Sequence, residues 1–221
     1  MKKKSIQRLL ALLLTLSLML PLSGCMSEQN QVTSFVNGQL NLIYKGEYND
    51  SFLAMTNLTP SECQMLYDAG FNFEPTAFAS DFAIDLSLVD EKVPQQILFL
   101  YKQIYQRSSF HVSFAGRSGD SYLVRVRIYP LDTLQQAKDH FTELVDAWQA
   151  RSDAGEFKDM SGREYETLWA NAVIDFVSSY VPRTRTLNSS HTVTIRVTKD
   201  KDGVYWIEHD SLRQIDVFVI E

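Results

Sequence analysis

Two periods divide this chain. Over most of its length apolar residues recur at steps of three and four, the spacing of one helix face; in two blocks they alternate, the spacing of one sheet face. Residues 32–45 predict a first helix, with Val32, Phe35, Val36, Leu40 and Ile43 on one side and a stop at Lys45-Gly46. A short helix follows Asn49-Asp50 and carries Phe52, Leu53 and Met55. Thr59-Pro60-Ser61-Glu62 is a helix start, with Thr59 as cap, Pro60 where no donor is needed and Glu62 completing a capping box. That helix runs through Tyr67, and residues 77–82 resume it beyond Gly70 and Pro75. Asp90 opens the next one, whose apolar face is Ile97, Leu100, Tyr101, Ile104 and Tyr105.

The period then changes to two. Phe110, Val112 and Phe114 alternate with His111, Ser113 and Ala115; beyond a turn at residues 116–120, Tyr122, Val124, Val126 and Ile128 alternate with Leu123, Arg125, Arg127 and Tyr129. Two half-buried strands around a glycine-containing turn predict an antiparallel hairpin. A capping box at Asp132–Gln135 then opens one helix bearing Leu134, Ala137, Phe141, Leu144 and Trp148. Another box, Ser161-Gly162-Arg163-Glu164, opens a helix burying Tyr165, Leu168, Ala172, Phe176 and Tyr180. A second β block closes the chain: Val193, Ile195 and Val197 alternate with polar residues, Asp200-Lys201-Asp202-Gly203 turns, residues 204–208 return, and residues 215–220 add a last strand. Helices, hairpin, two helices and hairpin predict an α+β fold, an antiparallel sheet of about four to five strands covered on one face by helices.

The N-terminus follows other rules. Lys2, Lys3, Lys4 and Arg8 precede an apolar run at residues 9–20. As a helix that run covers about 18 Å, short of the ~30 Å hydrocarbon core, so it reads as a secretory segment. Pro21 ends it, and Leu22-Ser23-Gly24-Cys25 follows. This combination resembles the lipobox of bacterial lipoproteins. The resemblance implies a signal peptide at 1–24, cleavage between Gly24 and Cys25, and a diacylglyceryl group, with palmitate-type chains, on the Cys25 thiol. It also implies residence on the outer face of the cytoplasmic membrane, or on a periplasm-facing membrane in a cell with two. The short polar stretch then makes 25–31 a lipidated tether, and the length of the remainder suits one domain at 32–221. Two or more acyl chains give stable anchoring where one does not, so the bilayer becomes a partner through acylated Cys25. The remainder loosely resembles the cystatin or nuclear-transport-factor-2 type α+β domains of bacterial lipoproteins. That likeness rests on the N-terminal helices, the strand at 122–129 and the late Asp202-Gly203-Val204-Tyr205-Trp206-Ile207.

Charge narrows the partners. The chain carries a net charge of −6, and losing residues 1–24 removes four basic residues and no acids, leaving −10. So acidic a protein suits neither nucleic acid nor an anionic lipid surface. Against that background three arginines stand out. Arg125, Arg127 and Arg196 fall on the polar phase of two strands and would line one sheet face, as a binding site for an anionic ligand or envelope protein or as a solvated face paired to local acids. Cys63 reads as a buried thiol, since a nucleophile would want a histidine and an acid beside it. His111, His140, His191 and His209 lack metal-ligand spacing, and Asp200-Lys201-Asp202-Gly203 reads as a hairpin turn instead of a calcium loop. There is no nucleophile elbow, phosphate loop or dinucleotide fingerprint, so no cofactor is implied. The pattern leans toward a binding module, with an enzyme holding a pocket between sheet and helices, or an envelope-assembly component, as the alternatives.

Overall fold

The alternating blocks form a four-stranded antiparallel meander in the order β1-β2-β3-β4, made of β1 (Ser109–Ser118), β2 (Ser121–Tyr129), β3 (His191–Lys199) and β4 (Tyr205–Ile207). The computed structural model describes residues 27–71, 74–187 and 189–220. The leader and Leu22-Ser23-Gly24-Cys25 therefore lie outside the described residues. Residues 32 onward form one compact unit, which carries the sheet and the helices that cover it.

Register explains the alternation. Tyr122 pairs with Val197, Val124 with Ile195 and Val126 with Val193, so these side chains share one face, and all are buried. The opposite phase, Arg125 and Arg127 with Thr192 and Thr194, is exposed. Helices therefore cover a single face, as the α+β expectation holds. The first hairpin carries a bulge where register shifts between Phe114 and Gly116, and Gly116 there takes a φ of 155°.

Helix α1 (Glu28–Lys45) lies against the buried face: the Phe35 ring stacks on Tyr205 with centroids 5.5 Å apart, and Tyr44 meets Phe110 at 5.1 Å. It begins four residues ahead of its apolar stripe, with Glu28 in the first turn where a carboxylate complements the helix dipole. Residues 28–31, expected as tether, are thus helical. Helix α2 (Asp50–Thr56) is capped by Asn49, whose side chain accepts from the Phe52 amide at 2.9 Å. The Phe52 ring packs directly over Gly38 of α1, a position with no room for a methyl group.

Both boxes whose hydroxyl residue is Thr or Ser form. In α3 (Pro60–Ala69) the Thr59 hydroxyl accepts from the Glu62 amide while Glu62 accepts from the Thr59 amide at 2.8 Å. In α8 (Gly162–Ser178) Ser161 and Glu164 do the same. Between these lie α4 (Glu74–Asp81), α5 (Val93–Tyr105), α6 (Thr133–Asp139) and α7 (Phe141–Asp153); a 3-10 turn at Val181–Arg183 follows α8. An aromatic cluster welds this helical layer. Phe82 meets Phe141, Phe141 meets Trp169, and Trp169 meets Trp148, with centroids 5.1 to 5.9 Å apart. Burying each such ring contributes roughly 1.5–3 kcal/mol.

Three expectations are corrected. The single helix expected from Asp132 to Trp148 is two, broken at His140 (φ −109°, ψ 4°), whose ring stacks 6.1 Å from Tyr180 while Nδ1 meets Glu143 at 2.9 Å. Asp132 forms no capping box: its carboxylate accepts from the Arg185 amide at 2.8 Å, clasping the chain after α8. Finally, residues 215–220 form no strand. Helix α9 (His209–Asp216) takes their start, and Ile215 and Val219 are buried while Val217 is 71% exposed. The buried positions are four apart, so the phase is helical; alternate residues do not share a side. Ile220 makes an isolated bridge to Leu131 and packs against the core.

Candidate functional site

The uncovered sheet face is built from rungs. Arg125 stands between Ser113 of β1 and Thr194 of β3, and Arg127 between His111 and Thr192. Two residues of strand separate the arginines by about 7 Å at the backbone, and neighbouring strands lie about 4.8 Å away. Each guanidinium is thus flanked by side chains able to hydrogen-bond an oxyanion. The strands put them there for a local reason, since alternate residues of a half-buried strand must face water. Among the described residues neither Arg125 nor Arg127 has a carboxylate within ion-pair distance.

Arg196 is on the same face, opposite Leu123 and diagonal to Arg125, but its guanidinium is engaged: Nε lies 3.6 Å from Glu208. Both partners are close to half exposed, so the pair contributes about 0–1 kcal/mol and exchanges readily. Beyond it, Trp206 pairs across the sheet with Thr198 and is 49% exposed. The three arginines expected on one face therefore share it, Arg196 paired and the other two without an ion-pair partner among the described residues. A planar fork of donors on each suits carboxylate or phosphate oxygens.

A second feature had no signal in the periodicity. A groove of about 570 Å³ opens between α1, α3, α4 and α9. The Tyr105 hydroxyl donates to Glu74 Oε1 at 2.8 Å, and the Tyr44 hydroxyl donates to Asp216 Oδ1. Burial pushes both phenols above their ordinary range, the facing carboxylates adding to the effect. Burial likewise raises Glu74, against the opposing pull of the Tyr105 hydrogen bond. Ile43, Leu66, Phe71 and Leu212 give the groove apolar walls, and Arg213 lines it one turn from Asp216.

Other candidates fall into the scaffold. Cys63 is fully buried in the core, and burial with nearby Glu62 pushes its thiol up, away from the reactive thiolate. The Asp200 carboxylate accepts from the Asp202 and Val204 amides at 2.9 and 2.8 Å, which tightens the hairpin turn. His191 stacks on Phe218 at 4.3 Å, and His111 lies exposed beside Arg127. Among the described residues no three His, Cys, Asp or Glu side chains group to hold a metal ion. No helix among them is long and apolar enough to cross a membrane.

No protein-family model matches the chain, and no curated protein does. Among solved structures it is similar to that of a putative lipoprotein, YcdA, from Bacillus subtilis subsp. subtilis str. 168, with a TM-score of 0.62 and 16% sequence identity. The likeness covers 86% of this chain and 56% of the other, so this chain spans just over half that protein's length. At that identity the two share a fold.

Proposed function

We propose that the chain is an extracytoplasmic lipoprotein, acylated at Cys25 and held on the outer face of the cell membrane, whose open sheet face binds an anionic ligand or envelope partner. One observation carries the binding role. Arg125 and Arg127 stand in adjacent rungs, exposed and without a carboxylate partner among the described residues, in a protein whose net charge is −6. Such a protein has acids to spare for neutralising surface arginines, and here they are elsewhere. Arg196 joins the set by exchanging Glu208 for the ligand.

The anchor rests on Lys2, Lys3, Lys4, Arg8, the apolar run and Leu22-Ser23-Gly24-Cys25, with the lipoprotein-like fold in support. With −10 left after cleavage at Gly24, electrostatics would push the domain off an anionic bilayer, so acyl chains supply the attachment.

The experiment is a titration of a fluorescent polyphosphate with the full chain in detergent, followed by anisotropy. Wild type binds saturably and loses affinity with salt; Arg125→Ser/Arg127→Ser weakens binding at least about tenfold. Equal affinity of the two proteins overturns the reading of this face. Separately, Cys25→Ser abolishes acyl labelling and cleavage at Gly24; unchanged processing overturns the anchor.

A further inference from the structure

The groove between α1, α3, α4 and α9 has no part in the reading above, and its chemistry is bipolar. Glu74 uses Oε1 for Tyr105 and Asp216 uses Oδ1 for Tyr44, and among the described residues no donor meets the second oxygen of either carboxylate. Glu74, removed from water by burial with an acceptor unfilled and a groove before it, is suited to an incoming N–H donor, and Asp216 stands exposed on the same groove. Arg213 supplies the opposite charge. It lines the same groove, lies three residues from Asp216 on one helix, and has no ion-pair partner among the described residues.

Residues at that spacing lie about 5–6 Å apart at Cβ. Asp216 and Arg213 thus present an acceptor and a bidentate donor at a separation that no monopolar ligand uses fully. An α-amino acid carries its ammonium and carboxylate on one carbon, and so spans the two. Its side chain would then meet Ile43, Leu66, Phe71 and Leu212, which are apolar. A volume of about 570 Å³ holds an aliphatic or aromatic side chain with room for solvent.

We infer that this groove is a binding site for an apolar α-amino acid, whose ammonium is held by Glu74 and Asp216 and whose carboxylate is held by Arg213. The walls set the preference for apolar side chains, and the two poles set the requirement for a free head group.

Isothermal titration of the full chain in detergent with L-leucine and L-phenylalanine tests it. The expected result is saturable binding with Kd below about 1 mM. Leucinamide, which lacks the carboxylate, and N-acetyl-leucine, which lacks the ammonium, each bind at least about tenfold more weakly. Arg213→Gln erases the difference between leucine and leucinamide; Arg213 is exposed, so this variant keeps its fold, as circular dichroism would report. Absence of saturable heat with either amino acid up to about 10 mM overturns the inference. So does leucinamide binding as tightly as leucine, the mark of a plain cation site, or leucine affinity unchanged in Arg213→Gln.

Discussion

Tyr44 and Tyr105 lie ring to ring, with centroids 5.6 Å apart and planes 43° apart, and each gives its hydroxyl to a different carboxylate. Tyr44 serves Asp216, 172 residues on, and Tyr105 serves Glu74, 31 residues back. The pair therefore ties the first and last described helices to the middle of the chain. Tyr44→Phe leaves Asp216 without that donor and costs about 1–2 kcal/mol of stability. A double-mutant cycle with Asp216→Asn, read by urea unfolding, should give a coupling energy; strict additivity would mean that the hydroxyl is idle.

Glu74 makes stability depend on pH with a definite sign. A glutamate in the unfolded chain titrates near 4.5, and burial raises the folded value. The folded protein then holds that proton more tightly, so the contribution is full below the unfolded value and is lost as pH rises through the folded one. Around this carboxyl stand Tyr101 and Tyr105 of α5, Tyr44 of α1, and Asp216 with Arg213 of α9. Glu74→Gln keeps an acceptor for Tyr105. It should melt with wild type in acid and above it at neutral pH. A difference in Tm that stays constant from pH 4 to 8 would contradict the assignment.

Gly38 predicts a steric penalty. A methyl there meets the Phe52 ring, which is 1% exposed and has nowhere to move. Gly38→Ala gains up to about 1 kcal/mol of helix preference and loses about 1–3 kcal/mol to overpacking, for a net loss. Adding Phe52→Leu should recover part of it. If Phe52→Leu and Gly38→Ala merely add, the close approach does not limit this site.

The cap residues should behave differently from one another. Thr59→Ala and Ser161→Ala each cost about 1 kcal/mol and fray the first turns of their helices. Asp132→Ala should leave the first turn of α6 unchanged and expose the Arg185 amide, seen as faster hydrogen exchange at Arg185. Fraying of α6 instead would restore Asp132 as a cap.

These contrasts show what the sequence makes legible. A Thr-x-x-Glu or Ser-x-x-Glu box is satisfied inside four residues, so Thr59 and Ser161 are read correctly. Strand alternation is equally local and places Arg125, Arg127 and Arg196 on one face. Asp132 is misread because its partner, Arg185, lies 53 residues away and competes for the same carboxylate. Ile215 and Val219 are misread as alternating because a short apolar run fits both periods until something packs on it. Nothing in the sequence sets Glu74 and Asp216 apart from the other acids, since only tertiary structure brings each to a tyrosine.

The sheet has two unequal rims. On one side β4 offers three residues; on the other β1 offers ten, interrupted where the Phe114–Gly116 bulge shifts register. A foreign strand aligning with β1 would keep step only along residues 109–114, where Phe110, Val112 and Phe114 repeat at every second position. That stretch is where self-association of a damaged or half-unfolded copy would begin, and a lysine introduced at Ser113 would suppress it.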